Sequence, residues 1–403
     1  MVGDAVLGGM LLTFERALAL MGSSRGSVLS WYEVRVSGGE SGERLFDAKE
    51  RLFGKAGPEV VLWRDAAGWC PFCCMAVLLL EEMKVAYRVR TVPLSGYARP
   101  GETKDPEYLA MVPDGIVPGI QLREGKKFAP AFRNVYAIFA ALQDKYPDRY
   151  PGYANNARVL GPDGLVGRLE KSRYRRDPAT LRPILRELDA LLRESGGPFL
   201  GGPRLSAADC QLLPFLERIE AYAVYFHGRA TLDALPFVRA QRLLDTARAE
   251  CEAFRHFGSD AFTLARVVLR YEPSARVSAD ARAVENSRDF KDSDARVAAA
   301  KLGTNHEAVA KFALRVADDE VGAAALDDAL RAVATTLLGA SSCDAVVTEL
   351  RDRHEPADLA DAATALAALS RNVGVPRDFL PAPAAALRAH CVDLAAALAS
   401  TRM

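Results

Sequence analysis

Neither sign of charge is in excess. Lys+Arg and Asp+Glu are both 52 in 403 residues, so the formal net charge is zero. A dedicated nucleic-acid binder usually carries a basic surplus, so that class is set aside. Uncharged apolar runs are short. Trp69–Leu80 falls far below the ~20 residues needed to cross a bilayer, so no membrane span is expected. Cysteine is sparse and odd in number, 7 in all, which gives no disulfide framework and favours a reducing compartment. The five histidines, His227, His256, His306, His354 and His390, have no metal-ligand spacing. What is present is the composition of a folded globular protein, 50% hydrophobic and 26% charged, which excludes wholesale disorder. At ~150 residues per domain, the length suggests two to three domains.

Residues 1–57 read as an N-terminal extension. Residues 1–22 are expected as a weakly amphipathic helix, ended by Gly22-Ser23-Ser24-Arg25-Gly26-Ser27. The start lacks a basic segment, and Asp4 and Glu15 interrupt it, so it matches a secretory signal poorly. A transit peptide and an extension packed on the first domain both stay open. Residues 28–36 are expected as one strand, and Asp47–Phe53 as a helical turn.

The chemistry-bearing pattern begins at Glu59–Arg64, a β-branched and aromatic run that predicts a buried strand. Gly68 marks a turn, and Trp69-Cys70-Pro71-Phe72-Cys73-Cys74 leads into an apolar helical stretch. Pro71 suits the first helical position, where its missing N–H costs nothing. Cys70 then sits at the helix N-terminus, whose free N–H groups and dipole favour a thiolate. Cys73 lies about one helical turn on, within reach of Cys70. A nucleophilic thiol beside a resolving thiol is what thiol–disulfide exchange requires. A zinc half-site has no second pair to complete it. Two inert buried cysteines are the plain alternative. Cys74 points away as a core filler. Trp69 either packs over the turn or contacts substrate. Further elements are expected at Ala86–Pro93 (strand), Pro106–Met111 (helix), Gly119–Leu122 and Lys127–Ala129 (hairpin) and Val135–Tyr146 (helix).

This order of elements resembles the thioredoxin-like N-terminal domain of the glutathione S-transferase superfamily. The Cys70-Pro71-Phe72-Cys73 motif is similar to those of glutaredoxins and of the cysteine-type transferases, which include omega-like, dehydroascorbate-reductase-like and chloride-intracellular-channel-like proteins. The resemblance implies a cis bond at Val117-Pro118, with the Val117 backbone pairing the cysteinyl unit of glutathione. It sets Cys70 and Cys73 as catalytic, and Trp69, Phe72, Lys104, Val117, Pro118, Arg133 and Asn134 at the glutathione site, with no metal. One departure stands out. The family's Glu-Ser pair at the start of the third helix is replaced by Asn134-Val135, which removes the anionic partner of the glutathione amine. Arg133 beside it would repel that amine and attract the glutathione carboxylates.

The fold class implied is an α/β thioredoxin-like domain, then an all-α transferase-type domain, then an α-helical extension. The expected boundaries are 58–150, 165–258 and 259–403. Ser206 with Asp209 three residues later predicts a capped helix start, and Leu212, Phe215, Leu216 and Ile219 form its inward stripe. Arg168, Lys171, Arg173, Arg175 and Arg176 read as a solvated helix face. Arg270–Lys291 reads as a surface linker. Beyond it, Asn305–Val316, Asp319–Leu338, Cys343–Arg353, Pro356–Leu369 and Pro383–Leu398 are expected as Ala-rich helices. The thiol site is expected to be built wholly from residues 59–146. The extension, with its Val375-Pro376-Arg377-Asp378 run, is similar to that of longer plant and algal transferase-like proteins thought to be plastid; the alternative is cytoplasm. The expected activity is a glutathione-dependent thiol transfer or reduction on a small disulfide or electrophile. The alternative is a non-catalytic scaffold of the same fold, with a homodimer or protein partner meeting the extension.

Overall fold

The computed structural model describes residues 26–39, 42–94, 102–129, 132–152, 156–161, 163–171, 178–317 and 322–400. The chain divides into two compact units. One holds residues 42–289 and 373–385; the other holds 1–41, 290–372 and 386–403. This division cuts across the linear reading, because residues 259–403 supply both units.

The first unit is built on a mixed sheet of β1 (Glu50–Arg51), β2 (Val60–Asp65), β3 (Tyr87–Val92), β4 (Gly119–Glu124), β5 (Lys127–Phe128) and β6 (Phe132–Arg133). β2 lies between β3, to which it runs parallel with Asp65 opposite Val92, and β4, to which it runs antiparallel with Leu62 opposite Ile120. Every residue of β2 is buried, because alternate side chains enter different cores. Val60 and Leu62 join the core that contains Met75, Leu78 and Leu79, whereas Val61 and Trp63 pack with Val92, Tyr108 and Val112. The helix Pro71–Glu82 connects the parallel pair and is buried from Cys73 to Glu81. It packs against the helix Ala207–Tyr222, which is why it is apolar all round. This is a thioredoxin-like α/β layer followed by helices Pro178–Ser195, Ala207–Tyr222, Val238–Glu250, Glu252–Phe257 and Ala261–Tyr271.

Ser206 caps the helix Ala207–Tyr222 as expected, in a reciprocal box with Asp209. The buried Asp209 carboxylate also accepts the N–H groups of Leu200 (2.8 Å) and Gly201 (3.2 Å), so one side chain gathers a loop and a helix start. The expected linker after 270 is in part structured. Ser278 Oγ donates to Val224 O (2.8 Å), and the Tyr225 hydroxyl donates to Glu285 (2.5 Å) at a short helix, Ala281–Glu285.

The second unit is helical: Trp31–Gly38, Asp292–Ala317, Ala323–Leu337, Cys343–Arg353, Pro356–Asn372 and most of Pro381–Ala399. The strand expected at 28–36 is a helix. Ser30 and Glu33 form a capping box that overrides the β preference of Trp, Tyr and Val. Gly38 and Gly303 let this helix lie close to Asp292–Ala317, since a Cβ on Gly38 would stand 2.8 Å from the Ala300 backbone. Trp31 stacks on His306 at 4.5 Å and donates to Asp327 at 2.9 Å. The helical turn expected at Asp47–Phe53 is also corrected. The turn lies at Leu45–Asp47, and Glu50–Arg51 pair with β3. The expected helix at 1–22 and the basic residues Arg173, Arg175 and Arg176 lie outside the described residues. Arg168 and Lys171 bond Glu187 and Asp163. Among the described residues, no helix is long and apolar enough to cross a membrane.

Asp209→Ala leaves several buried N–H donors without an acceptor, each costing about 1–3 kcal/mol. Urea unfolding of this variant is expected to show a loss of at least about 3 kcal/mol.

Candidate active site

The site begins where β2 ends. Asp65 is fully buried, and its Oδ2 accepts the N–H of Trp69 at 2.7 Å and of Cys70 at 3.3 Å. A buried carboxylate needs such donors, and meeting that need fixes how the chain turns into the helix. Cys70 is the N-cap residue and Pro71 occupies the first turn. Cys70 makes no side-chain cap hydrogen bond; its sulfur lies 3.8 Å from the Val117 carbonyl oxygen. It is partly exposed, whereas Cys73 and Cys74 are buried. Burial pushes the Cys73 thiol well above its ordinary range, and contact with Cys70 pushes it the same way. Its sulfur accepts the Asp65 N–H at 3.4 Å. Burial raises the Cys74 thiol too, consistent with a core filler.

Val117-Pro118 is cis and faces the cysteine. Tyr108 props this loop from below. It stacks on Trp63 at 4.9 Å, and its hydroxyl donates to the Ile116 carbonyl. Lys104 donates to Gly115 O at 3.0 Å, and Arg133 pairs with Asp114 at 2.6 Å. Both cations thus bond the loop that carries Val117. Asn134 caps the helix Val135–Lys145 through the Tyr136 N–H (2.9 Å) at φ +72°, a conformation that Asn tolerates better than most residues. Val135 is core, so the polar pair of the family has no equivalent here. The Phe72 ring packs edge-on against Phe215 at 5.9 Å.

Trp69 settles as a packed residue with 6% exposure, held on every polar atom. Its carbonyl accepts from the buried Arg218 at 2.8 Å, and its indole Nε1 donates to Val375 O at 3.0 Å. Val375 lies 306 residues away in the chain. Ser259 Oγ donates to the same carbonyl at 2.7 Å, Thr263 Oγ1 accepts the Val375 N–H at 3.1 Å, and Arg44 donates to Pro376 O at 2.7 Å. A Cβ on Gly374 would stand 2.7 Å from the indole. Within residues 59–146 the turn is held by Asp65, at the strand end; from outside that range Arg218 and the 373–379 segment brace Trp69, and neither leaves a local sign in the sequence.

Two family descriptions match the chain: glutathione S-transferase, N-terminal domain, over residues 69–137, and glutathione S-transferase, C-terminal domain, over 172–240. Residues 69–137 and 172–240 are thus similar to the two domains of glutathione S-transferases. Among curated relatives of this transferase-type region, the chloroplastic glutathione S-transferase DHAR3 of Arabidopsis thaliana is 31% identical over 178 residues. That match covers 43% of this chain and 64% of the relative, so the chain spans less than two thirds of that protein. The probable cytosolic glutathione S-transferase DHAR1 of Oryza sativa subsp. japonica is 28% identical, over 41% of this chain and 73% of its own. A solved dehydroascorbate reductase from Chlamydomonas reinhardtii is similar at 20% identity and TM-score 0.41, over 53% of this chain and 97% of that one.

Asp65→Ala strands the Trp69 and Cys70 N–H groups and is expected to cost about 2–5 kcal/mol. Asp65→Asn keeps an accepting oxygen and should lose less. Chemical denaturation of the three proteins checks the order.

Proposed function

We propose that this protein is a glutathione-dependent thiol transferase or reductase whose nucleophile is Cys70. The observation that carries the reading is the placement of Cys70. It is the one partly exposed sulfur of its motif, it stands at a helix start, and it faces the backbone of a cis Val117-Pro118. The curated relatives named as glutathione S-transferases support it.

The Cys70 thiolate attacks the glutathionyl sulfur of a mixed disulfide. The S–S bond breaks, the other half leaves as a thiolate that takes up a proton, and glutathione is left joined to Cys70. A second glutathione thiolate then attacks that glutathionyl sulfur, which forms glutathione disulfide and frees Cys70. Val117 would pair with the bound tripeptide through its backbone. Cys73 is a poor resolver in this scheme, because burial holds its proton and an attacking sulfur must be a thiolate. Glutathione therefore serves as the resolving thiol. Lys104, Arg133 and Asn134 are partly spent on the loop and the helix cap, so the tripeptide is held less firmly than by an acidic pair. An ion-assisted hydrogen bond of the missing kind contributes about 1.5–3 kcal/mol. The relatives include a chloroplastic and a cytosolic protein, so both compartments fit the reading.

Reduction of a small glutathione mixed disulfide tests this. Cys70→Ser is expected to abolish turnover, and Cys73→Ser to retain most of it. Equal loss in both variants would assign resolution to Cys73, and full activity without Cys70 would overturn the proposal.

A further inference from the structure

The proposed reaction leaves one buried ionisable side chain without a task. Glu217, inside the helix Ala207–Tyr222, is 3% exposed, and so is Arg218 beside it. The two side chains face each other at 3.6 Å. Each also leaves its own helix by a different route. Arg218 donates to the Pro214 carbonyl at 2.6 Å and to the Trp69 carbonyl at 2.8 Å. Glu217 Oε1 accepts the Ser259 N–H at 2.7 Å. Ser259 Oγ donates to the Val375 carbonyl at 2.7 Å, and that carbonyl also accepts the Trp69 indole N–H at 3.0 Å. The contacts close into a ring: Glu217, Ser259, Val375, the Trp69 indole, the Trp69 carbonyl, Arg218 and Glu217 again. Every member is buried. Trp69 is the residue before Cys70, and the N–H groups of both rest on Asp65 Oδ2.

We propose that Glu217 is a positioning residue for Cys70: its charge holds Arg218 and Ser259, and through them fixes the carbonyl and the indole of Trp69 and so the turn that presents the nucleophile. The inference rests on Cys70 being the nucleophile. Hydrogen bonds to ionised groups are the strong ones, and in a buried network they depend on one another. A proton on Glu217 removes an anion from beside the buried Arg218 cation and weakens the acceptor of the Ser259 N–H. Burial raises the Glu217 carboxyl to about 7, against the opposing pull of Arg218, Arg248 and the Ser259 N–H, with Glu220 adding to the rise. Arg248, on the helix Val238–Glu250, is itself paired with Glu220 at 2.6 Å. Cys74, on the helix Pro71–Glu82 packed against this one, also interacts electrostatically with Glu217. Because the carboxyl is raised, its anion forms only as pH climbs through about 7. The ring is complete above that pH and loosened below it.

The test uses the full chain and two readings. The first is kcat/KM for a small glutathione mixed disulfide, which reports the attack by Cys70, followed against pH in the unmodified protein and in Glu217→Gln. Gln has the shape of the protonated acid and no charge. The ratio of the two profiles is expected to be near one at acid pH and to rise about three- to ten-fold at alkaline pH, with its midpoint at about 7. A role in stability alone gives a ratio that does not change with pH. The second reading is the proton NMR signal of the Trp69 indole N–H, assigned with Trp69→Phe and followed in Cys70→Ser, where no reactive thiol titrates. It should shift with the same midpoint, and the shift should vanish when Glu217→Gln is added. If Glu217→Gln does not fold, Ser259→Ala cuts the ring while leaving the carboxylate and the Ser259 N–H in place. That variant should reduce both the alkaline rise in rate and the indole shift, and no change in either overturns the proposal. A rate ratio that is flat with pH, or an indole that still titrates without Glu217, overturns the positioning role while leaving Cys70 as nucleophile. Full turnover without Cys70 overturns both, and the indole titration tells the two failures apart because it does not need Cys70.

Discussion

A single buried carboxylate organises the reactive end of the molecule. Asp65 closes β2, lies out of contact with water, and collects the N–H groups of Trp69 and Cys70. Burying a charge without partners costs several kcal/mol, so the chain that follows must present donors, and the turn does so. The helix starts where those donors are used up. That start puts the Cys70 sulfur toward Val117, while the Trp69 indole donates to Val375 O. Other supports act on this turn or on the loop opposite it: Arg218 on the Trp69 carbonyl, Val375 on its indole, and Tyr108 on the opposing loop through Ile116.

The two cysteines of the motif are separated by environment more than by chemistry. Three residues apart in sequence, one is partly exposed at a helix start and the other is enclosed between sheet and helices. Desolvation pushes the second thiol up, and this is the ground on which the proposed reaction takes glutathione rather than Cys73 as the resolving thiol. The residues expected to recognise glutathione by charge are absorbed in part by architecture. Lys104 and Arg133 hold the loop at Gly115 and Asp114.

Much of this was legible from local pattern. The β2 run, the Pro71 helix start, the Pro106–Met111 helix and the Ser206–Asp209 box each carry their signal within a few residues, and the structure has them. The misreadings have physical causes. At Trp31–Gly38, aromatic and β-branched residues spoke for a strand, while a two-residue capping box and close packing through Gly38 decided for a helix. The return of Val375 to Trp69 left no local trace, because a hydrogen bond across 306 residues depends on tertiary packing and not on spacing. Arg218 was hidden for the same reason. It reads as a charged interruption of an apolar stripe, yet it is buried and donates to two carbonyls.

The central claim is that Cys70 takes the glutathionyl group. The most direct measurement is mass-spectrometric peptide mapping of the protein quenched with acid during turnover of a glutathione mixed disulfide. The account predicts one glutathionyl adduct, on the peptide bearing Cys70, removed when reduced glutathione is added. An adduct on Cys251 or Cys343 instead, with Cys70 unmodified, would contradict it.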